Sequence, residues 1–578
     1  MEGLGHPLLA MADQIPTPVS FEPTLQEATR LVIAGQPRQA EALLRGLLLQ
    51  DIRRAAVYRL LAQAAHMQKR ELEAVALADH AISIEPTEPA HHFMLGVARM
   101  GLSQWDAAAQ AFQAALNINP DVPETHLNLG NVRKLQEDLP RAVEHYRAAL
   151  RLRPNMPEAY LNLGAVLRTQ TDYAGAEQAV RQALEIDPGL PGAWLNLGNA
   201  LAEQGKFEDA AEAYGRHLEA APGDVANWVA LGANLATLGR REEALAAHDR
   251  AVALAPEDGL QKFERSVTKL LFGDFDGGWA DYEHRWSKES LKAEKPKLPG
   301  REWRGEEIAG KTLFVFGEQG YGDNIQFARY LPLLVERGAK VVFCSEASLR
   351  GLFEPLTPSV RWYDGSEDLP PYDYFVALLS LPYHFGTRLE TIPAEVPYLT
   401  PSAARRMDWA DRIAALEPGP EMKVGLVWTG RPVHGNDRER SLSPEQLAPL
   451  LQVPGVRFFS LQKPPRPGHV DRLKRLGEIH DLAPQLEDFA DTAAALENLD
   501  LLISVDTAVA HLAGALGRPT WVMIPRQPDW RWLAERSDSP WYPTLELFRQ
   551  SSKGDWATVV HRIAGRLAVL SANFQAEK

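Results

Sequence analysis

The chain contains one cysteine, Cys344, among 578 residues. A single thiol forms no intramolecular disulfide, and it argues against a cysteine-based metal centre. A reducing, cytoplasmic setting fits this usage best. Long apolar runs are also missing. No stretch of 18 or more apolar residues occurs, so no membrane span is expected. Near the N-terminus the only apolar stretch, Pro7 to Met11, is short and lacks a basic flank, so no export signal is expected. Basic charge is in deficit: 61 Lys and Arg against 76 Asp and Glu give a net charge of −15. That deficit speaks against a nucleic-acid binder working through a broad basic face, while leaving room for a local basic pocket. Apolar residues at 45% and charged residues at 24% exclude a wholly disordered chain. At this length at least two folded units are expected. Residues 1–20 are expected to be disordered, and the three prolines within 12–24 extend that low-structure character toward Thr24.

What is present first is a repeat. Pro86, Pro120, Pro154, Pro188, Pro222 and Pro256 are each 34 residues from the last. Gly96, Gly130, Gly164, Gly198 and Gly232 keep the same period, as do Ala74, Ala108, Ala142, Ala176, Ala210 and Ala244. Three registers locked together predict one helix–turn–helix per period. The glycine and alanine let helices approach closely, and the proline closes each unit. The block Trp194-Leu-Asn-Leu-Gly198…Phe207…Ala210…Tyr214…Pro222 resembles a tetratricopeptide repeat. In this register, full repeats run from about 55 to 258. A degenerate repeat at 21–54 precedes them, with Ala40 in place and Ile52 where proline is expected. A variant helical unit at 259–290 follows. The resemblance implies a right-handed superhelix with a concave groove. Asn128, Asn162 and Asn196 share one repeat position, and Asn131 and Asn199 another. Two roles stay open for them. They can bond neighbouring helices, or they can form a ladder that holds the backbone of an extended peptide. The ladder reading resembles the repeat domain of the O-linked N-acetylglucosamine transferases. Three such bonds at about 1 kcal/mol each give only weak, sequence-tolerant capture.

Residues 287–300 are polar and Lys-rich, with 291–300 read as a linker. Asp274-Phe-Asp276 has the outline of a metal-binding Asp-x-Asp, but it sits in a repeat-like turn and is set aside. From Lys311 the pattern changes. Apolar runs at Thr312–Phe316, Lys340–Cys344, Tyr374–Leu378, Val424–Trp428, Arg457–Ser460, Leu501–Val505 and Thr520–Ile524 alternate with helical stretches. This predicts parallel βα units. They fall into an N-terminal lobe at 301–400 and a C-terminal lobe at 401–578, parted near a proline-rich stretch from Ile392 to Pro401. Two Rossmann-like lobes facing a cleft are expected, with ligands at the carboxyl ends of the strands.

Three clusters stand at those ends. The first is Phe316-Gly-Glu-Gln-Gly320-Tyr-Gly322-Asp323, where glycines permit close backbone approach. Asp323 is placed either to accept a proton from a hydroxyl or to cap a helix. The second spans Val427-Trp-Thr429-Gly430…His434…Asn436-Asp-Arg438…Arg440-Ser441, with Gln462 and Lys463 after the next strand. Arg438 and Arg440 are candidates to neutralise phosphate, and Lys463 is either a phosphate contact or a solvated lysine. The third is Leu501-Leu-Ile-Ser-Val-Asp506-Thr507-Ala508-Val-Ala-His511-Leu-Ala513. Here a strand runs into a helix whose first-turn amides around Thr507 and Ala508 suit an anion. Asp506 is alternatively only a cap, and His511 is either packed or in contact with a nucleotide.

These clusters resemble glycosyltransferase family 9, the heptosyltransferase-like group of the GT-B fold, over roughly 300–578. Matching positions are Gly320, Gly322 and Asp323, then Asp506, Thr507, His511 and Ala513. The resemblance implies a nucleotide-sugar donor, inversion at the anomeric carbon, no obligatory metal and no further cofactor. It implies Asp323 as base, and Lys463 with the 506–511 turn as holders of phosphate. Two features depart from it: the inserted Glu318-Gln-Gly-Tyr, and the tail Asp529-Trp-Arg-Trp532…Ser539-Pro-Trp541-Tyr542-Pro. The whole chain is similar to bacterial repeat-plus-glycosyltransferase proteins, including soluble flagellin glycosyltransferases that use nonulosonic acids. The expected fold class is an all-α repeat superhelix followed by an α/β GT-B domain. The expected function is transfer of a sugar from a nucleotide-sugar to Ser or Thr of a polypeptide held by the repeats, with flagellin as the acceptor the resemblance suggests. The competing readings are a non-catalytic scaffold with a nucleotide-sensing lobe, and a glycan or lipid glycosyltransferase.

Overall fold

The computed structural model describes residues 20–576, apart from 354, 356–359, 366–367, 418 and 433–434. The N-terminal segment expected to be disordered lies outside the described residues up to 19, and so does His434. Structure begins earlier than the prolines suggested, because helix Phe21–Ile33 carries Pro23 in its first turn, where a missing N–H costs nothing. Contacts divide the chain into two compact units, Met1–Gln204 and Gly205–Lys578.

The first unit is a run of antiparallel helix pairs. The degenerate first repeat forms a full pair, Phe21–Ile33 with Pro37–Leu49, packed through Ala28, Ala40, Leu44 and Leu47. Next come Ala55–Met67 with Glu71–Ile84, and Pro89–Gly101 with Trp105–Ile118. Pro123–Leu135 pairs with Leu139–Leu152, and Pro157–Thr169 with Tyr173–Ile186, before Ala193–Glu203. The periodic glycines face the second helix of their own pair. A Cβ on Gly96 would lie 2.6 Å from the Phe112 ring, and one on Gly130 would lie 2.7 Å from that of Tyr146. A second device recurs at the start of three of the first helices. His92, His126 and Trp194 bond the carbonyls of Pro86, Pro120 and Pro188 at 2.8, 3.0 and 3.2 Å through a ring nitrogen. A third is conformational: the turn inside each pair places one residue in the left-handed region, Gly35, then Lys69, Ser103, Glu137 and Thr171.

The second unit opens with helices Phe207–Ala220, Val225–Thr237, Arg241–Leu254, Gly259–Leu271 and Phe275–Tyr282, then the short turn Glu283–Ser287 and helix Glu289–Lys292. Asp274 caps its helix by accepting the Gly277 N–H at 3.1 Å, and Asp276 pairs with Arg388 at 2.9 Å. The expected linker thus begins inside a helical turn. Two parallel sheets follow. The first holds β1 (Arg301–Glu302), β2 (Thr312–Phe316), β3 (Lys340–Cys344), β4 (Val360–Tyr363) and β5 (Tyr374–Ala377), in the order β1-β5-β2-β3-β4. The second holds β6 (Met422–Val427), β7 (Val456–Ser460), β8 (Ile479–Asp481), β9 (Leu501–Val505), β10 (Thr520–Ile524) and β11 (Leu545–Arg549), in the order β11-β10-β9-β6-β7-β8. Every pairing between these strands is parallel. The second order is that of a doubly wound nucleotide-binding sheet, and its direction reverses between β6 and β9, where such sheets take ligands. The fold is therefore helical repeats followed by an α/β domain of two Rossmann-like lobes.

A large aromatic cluster ties the last helical turns to both lobes. Trp279, Phe275 and Tyr282 pack with Phe327, Trp530 and Trp541. The tail tryptophans are core residues: Trp530, Trp532 and Trp541 are 3%, 0% and 0% exposed. Among the described residues no helix is long and apolar enough to cross a membrane.

Candidate active site

The first loop follows β2. Its Glu318 turns inward and forms a bidentate pair with Arg285, Oε2 and Oε1 accepting from Nε and Nη2 at 2.8 and 2.7 Å. Both side chains are buried, and Glu318 also accepts the Leu379 N–H at 3.2 Å beyond β5. Gln319 next to it has a left-handed φ of 61° and donates from its amide to the Tyr282 hydroxyl at 3.0 Å. Glu318 and Gln319 therefore anchor the loop to the variant helical unit at 259–290. A non-glycine residue held at positive φ in a functional loop is a place where strain is stabilised by its surroundings.

Beyond Gln319, Gly320 is extended and Asp323 lies in the first turn of helix Tyr321–Phe327. The Asp323 carboxylate accepts the Gly320 N–H at 2.8 Å and forms an ion pair with Arg531. It is thus a cap and a partner to a cation at once. Burial pushes its carboxyl up, and Arg531 only partly offsets this. Gly322 brings the first loop against the second lobe: a Cβ there would lie 2.9 Å from the His511 ring and 3.5 Å from Ala508 Cα.

In the second lobe, β9 ends at Val505. Asp506 follows it, and Thr507 is the N-cap residue of helix Ala508–Ala515. The Thr507 hydroxyl bonds that of Ser504 at 3.1 Å. The Asp506 carboxyl is pushed up to about 6 by burial and by the charge of Asp529, against the pull of Arg440. His511 is held neutral, lowered to about 3 by burial and by the positive charge of Arg531. Its ring stacks on Trp532 with centroids 5.0 Å apart, and its Nδ1 is 3.0 Å from the Tyr542 hydroxyl. Arg440 donates to the Asp506 carbonyl at 2.9 Å and lies over Gly430, where a Cβ would come within 2.5 Å of its Nε. It bridges the ends of β6 and β9, the point where the strand order reverses.

The other expected residues have separate tasks. Gln462 is buried, and its carbonyl oxygen accepts the N–H groups of Trp428 and Thr429 at 3.0 and 2.9 Å, fixing the turn after β6. Thr429 is buried and its hydroxyl accepts from Arg466 at 3.2 Å. Arg466 also bonds the Gly430 carbonyl at 3.0 Å and pairs with Asp437. Lys463 is exposed and its amine donates to the Leu486 carbonyl. Arg438 is exposed. In the repeats, the amides of Asn128 and Asn196 donate to the Glu124 and Gly192 carbonyls of their own helices at 2.9 Å each. Asn162 accepts from Lys134 at 3.0 Å, and Asn131 accepts from the Tyr146 hydroxyl at 2.8 Å. Asn199 is half-buried.

Sequence reasoning did not single out Asp529, Arg531 or Arg466. Arg531 is 9% exposed, donates to Asp529 Oδ1 at 2.9 Å, lies 4.2 Å from the Trp530 ring centroid and pairs with Asp323. Burial works against the charge on Asp529, but Arg531 prevails and keeps that carboxyl below its usual range. The tail Asp529-Trp-Arg-Trp had been noticed for its aromatics, and its signal as a site lay in the charged pair between them. The site therefore unites a half-buried first-lobe carboxylate, two arginines and a helix N-terminus at the switch point of a nucleotide-binding sheet. Such an arrangement can hold an anion beside a proton acceptor.

Models of the tetratricopeptide repeat match residues 25–89, 93–157, 127–191 and 167–235. The model of glycosyltransferase family 9 (heptosyltransferase) matches 445–522, which spans Gln462, Lys463 and Asp506 to His511. Protein FlbA of Caulobacter vibrioides is 32% identical over 340 residues, covering 54% of this chain and 56% of FlbA. The chain thus spans little more than half the length of that curated relative. The C-terminal part of a repeat-containing protein from Cytophaga hutchinsonii is 20% identical with a TM-score of 0.36, over 42% of this chain and 98% of that one. YrrB, described as a repeat protein with an unusual peptide-binding site, is 21% identical with a TM-score of 0.30, over 32% of this chain and 95% of its own. The helical half thus matches tetratricopeptide repeats, and the second lobe is similar to glycosyltransferase family 9 over residues 445–522.

Proposed function

We propose that the protein is an inverting protein O-glycosyltransferase that takes a sugar from a nucleotide-sugar and attaches it to Ser or Thr of a polypeptide captured by the repeats. The observation that carries this reading is the Asp323–Arg531–Asp529 cluster beside Arg440 and the N-terminus of helix Ala508–Ala515. The donor phosphate lies at the switch point, toward Arg440 and the first-turn amides near Thr507. The acceptor hydroxyl approaches from the side of Asp323. Its oxygen forms a bond to the anomeric carbon as the bond from that carbon to the phosphate oxygen breaks. The hydroxyl proton passes to Asp323, and the electron pair leaves with the phosphate, where the cations and helix amides stabilise it. A single displacement inverts the anomeric centre. His511, held neutral, packs and orients the helix and takes up no proton from the acceptor. In this reading no metal is required, the half-buried asparagines of the repeats guide the backbone of the acceptor in the cytoplasm, and flagellin bearing a nonulosonic acid is the pair to test first.

The test is thermal melting of the full chain against UDP, GDP, ADP, CMP and their sugars, with and without magnesium. A ligand of the folded state at about 100 times its Kd stabilises by about 2.7 kcal/mol. A rise in Tm with one nucleotide class, unchanged on removing magnesium, is expected. No rise with any of them favours the scaffold reading.

A further inference from the structure

Three carboxylates, Asp323, Asp506 and Asp529, sit with the guanidinium groups of Arg440, Arg531 and the buried Arg329 around a neutral His511, so the cations at the cleft are already matched by carboxylates. The acceptor base of the proposed reaction is itself ion-paired, and the cation that holds it is almost wholly buried. Arg531 has a further feature: its Nε, and that of Arg440, are buried with no hydrogen-bond partner among the described residues. Two donors are therefore left over in a place where an unpaired buried donor is destabilising. Asp529 fixes the Arg531 backbone and side chain from the same short segment, its Oδ1 accepting from both at 2.9 Å. The pairing with Asp323 comes from the other lobe. Arg531 thus has one local anchor and one partner that can be exchanged.

We propose that Arg531 is a positioning residue that holds the Asp323 carboxylate in a resting ion pair and passes to the anionic group flanking the donor's anomeric carbon, so that donor binding releases the base. The inference rests on the reading of Asp323 as base. The recognised chemistry is a phosphate or carboxylate next to the reacting carbon, supplied either by the leaving phosphate or by the carboxylate of an acidic sugar. Asp529 keeps the guanidinium tethered through the exchange, and the free Nε groups of Arg531 and Arg440 supply donors to the incoming anion. Before the donor arrives, the pair keeps a half-buried carboxylate from taking up a proton or activating water.

The experiment is calorimetric binding of inorganic pyrophosphate and, separately, N-acetylneuraminate to the full chain. The proteins are wild type, Asp323→Asn, Arg531→Gln, Arg531→Lys and the double variant Asp323→Asn/Arg531→Gln, each first checked for a cooperative melt. Loss of Asp323 removes a competitor for Arg531. Affinity is therefore expected to rise at least tenfold in Asp323→Asn and less than twofold when Arg531 is already Gln. Arg531→Lys retains most of the coupling and keeps the fold if Gln does not. Coupling seen only with pyrophosphate assigns the leaving phosphate as Arg531's partner, and coupling seen only with N-acetylneuraminate assigns the sugar carboxylate. In a transfer assay, Arg531→Gln moves the acid limb of kcat/KM upward, because burial then acts on Asp323 against the Gly320 N–H alone. An equal gain from Asp323→Asn in both backgrounds overturns the exchange and leaves only charge repulsion. Probes that bind with no response to either residue overturn it while leaving the glycosyltransferase reading intact. Failure of both probes to bind wild type overturns both.

Discussion

The two compact units hold themselves together by opposite means. In Met1–Gln204, small residues recur every 34 positions and each helix meets its partner through the same few contacts, such as Gly130 against Tyr146. Little charge is buried there. In Gly205–Lys578 the links that matter occur once. Arg285 reaches Glu318, and Arg531 reaches Asp323 across 208 residues of chain. The repeats spread their stability over many interchangeable contacts, whereas the α/β part concentrates it in a few buried charges. This difference predicts how each unit fails.

The largest effect is expected at the buried pair. Arg285→Met leaves Glu318 charged, buried and without its cation, which costs about 3–5 kcal/mol, whereas Arg285→Met with Glu318→Leu costs far less. Denaturant unfolding of the three proteins checks this, and equal losses from the single and double variants would dissolve the contrast between the units. In the repeats, Gly130→Val puts a Cβ 2.7 Å from a buried Tyr146 ring. A cost of about 1–3 kcal/mol is expected. Hydrogen exchange should show that loss largely confined to the neighbouring repeats, as a quasi-linear array requires.

The next effect is on binding and its sign follows from Asp506. Its carboxyl is raised to about 6, so it is ionised at pH 7.5 and increasingly protonated below 6. Burial sets this value first, and Asp529, Arg440, Trp532 and Arg531 are the groups that face the carboxyl and adjust it. Nucleotide affinity, corrected for protonation of the nucleotide itself, is expected to rise a few-fold from pH 7.5 to 5.5. Asp506→Asn should remove that dependence. The smallest effect is conformational. Thr171 is β-branched and sits at a φ of 63°. Thr171→Gly is expected to stabilise by up to about 1 kcal/mol, the relief of left-handed strain exceeding the entropy glycine adds to the unfolded chain. The Tm of the first unit reads this directly.

What could be read from the sequence follows the same division. The period exposed the repeats because packing demands the same small residue at the same place. The left-handed turn positions share that period, yet Lys69, Ser103, Glu137 and Thr171 carry no glycine to mark them. Seven strands were visible as apolar runs. The four that were missed, β1, β4, β8 and β11, are the edges of their sheets, where the chain is shorter or only partly buried. The strand–turn–helix that carries Asp506, Thr507 and His511 is legible because its parts are contiguous in sequence. The Asp323–Arg531 pair was not, because only the fold brings its members together. Gln462 stood out as a polar residue at a strand end, but its amide serves the turn at Trp428 and Thr429.

The most direct test is transfer itself. The full chain is incubated with the nucleotide-sugar that raises its Tm and with Ser- and Thr-bearing flagellin, and the acceptor is read by intact mass and by site mapping. The account predicts a sugar-sized gain on Ser or Thr with wild type and a rate about 100-fold lower or worse with Asp323→Asn, in line with loss of a general base. Transfer by Asp323→Asn at the wild-type rate, or sugar appearing only on a glycan or lipid added to the same mixture, would contradict it.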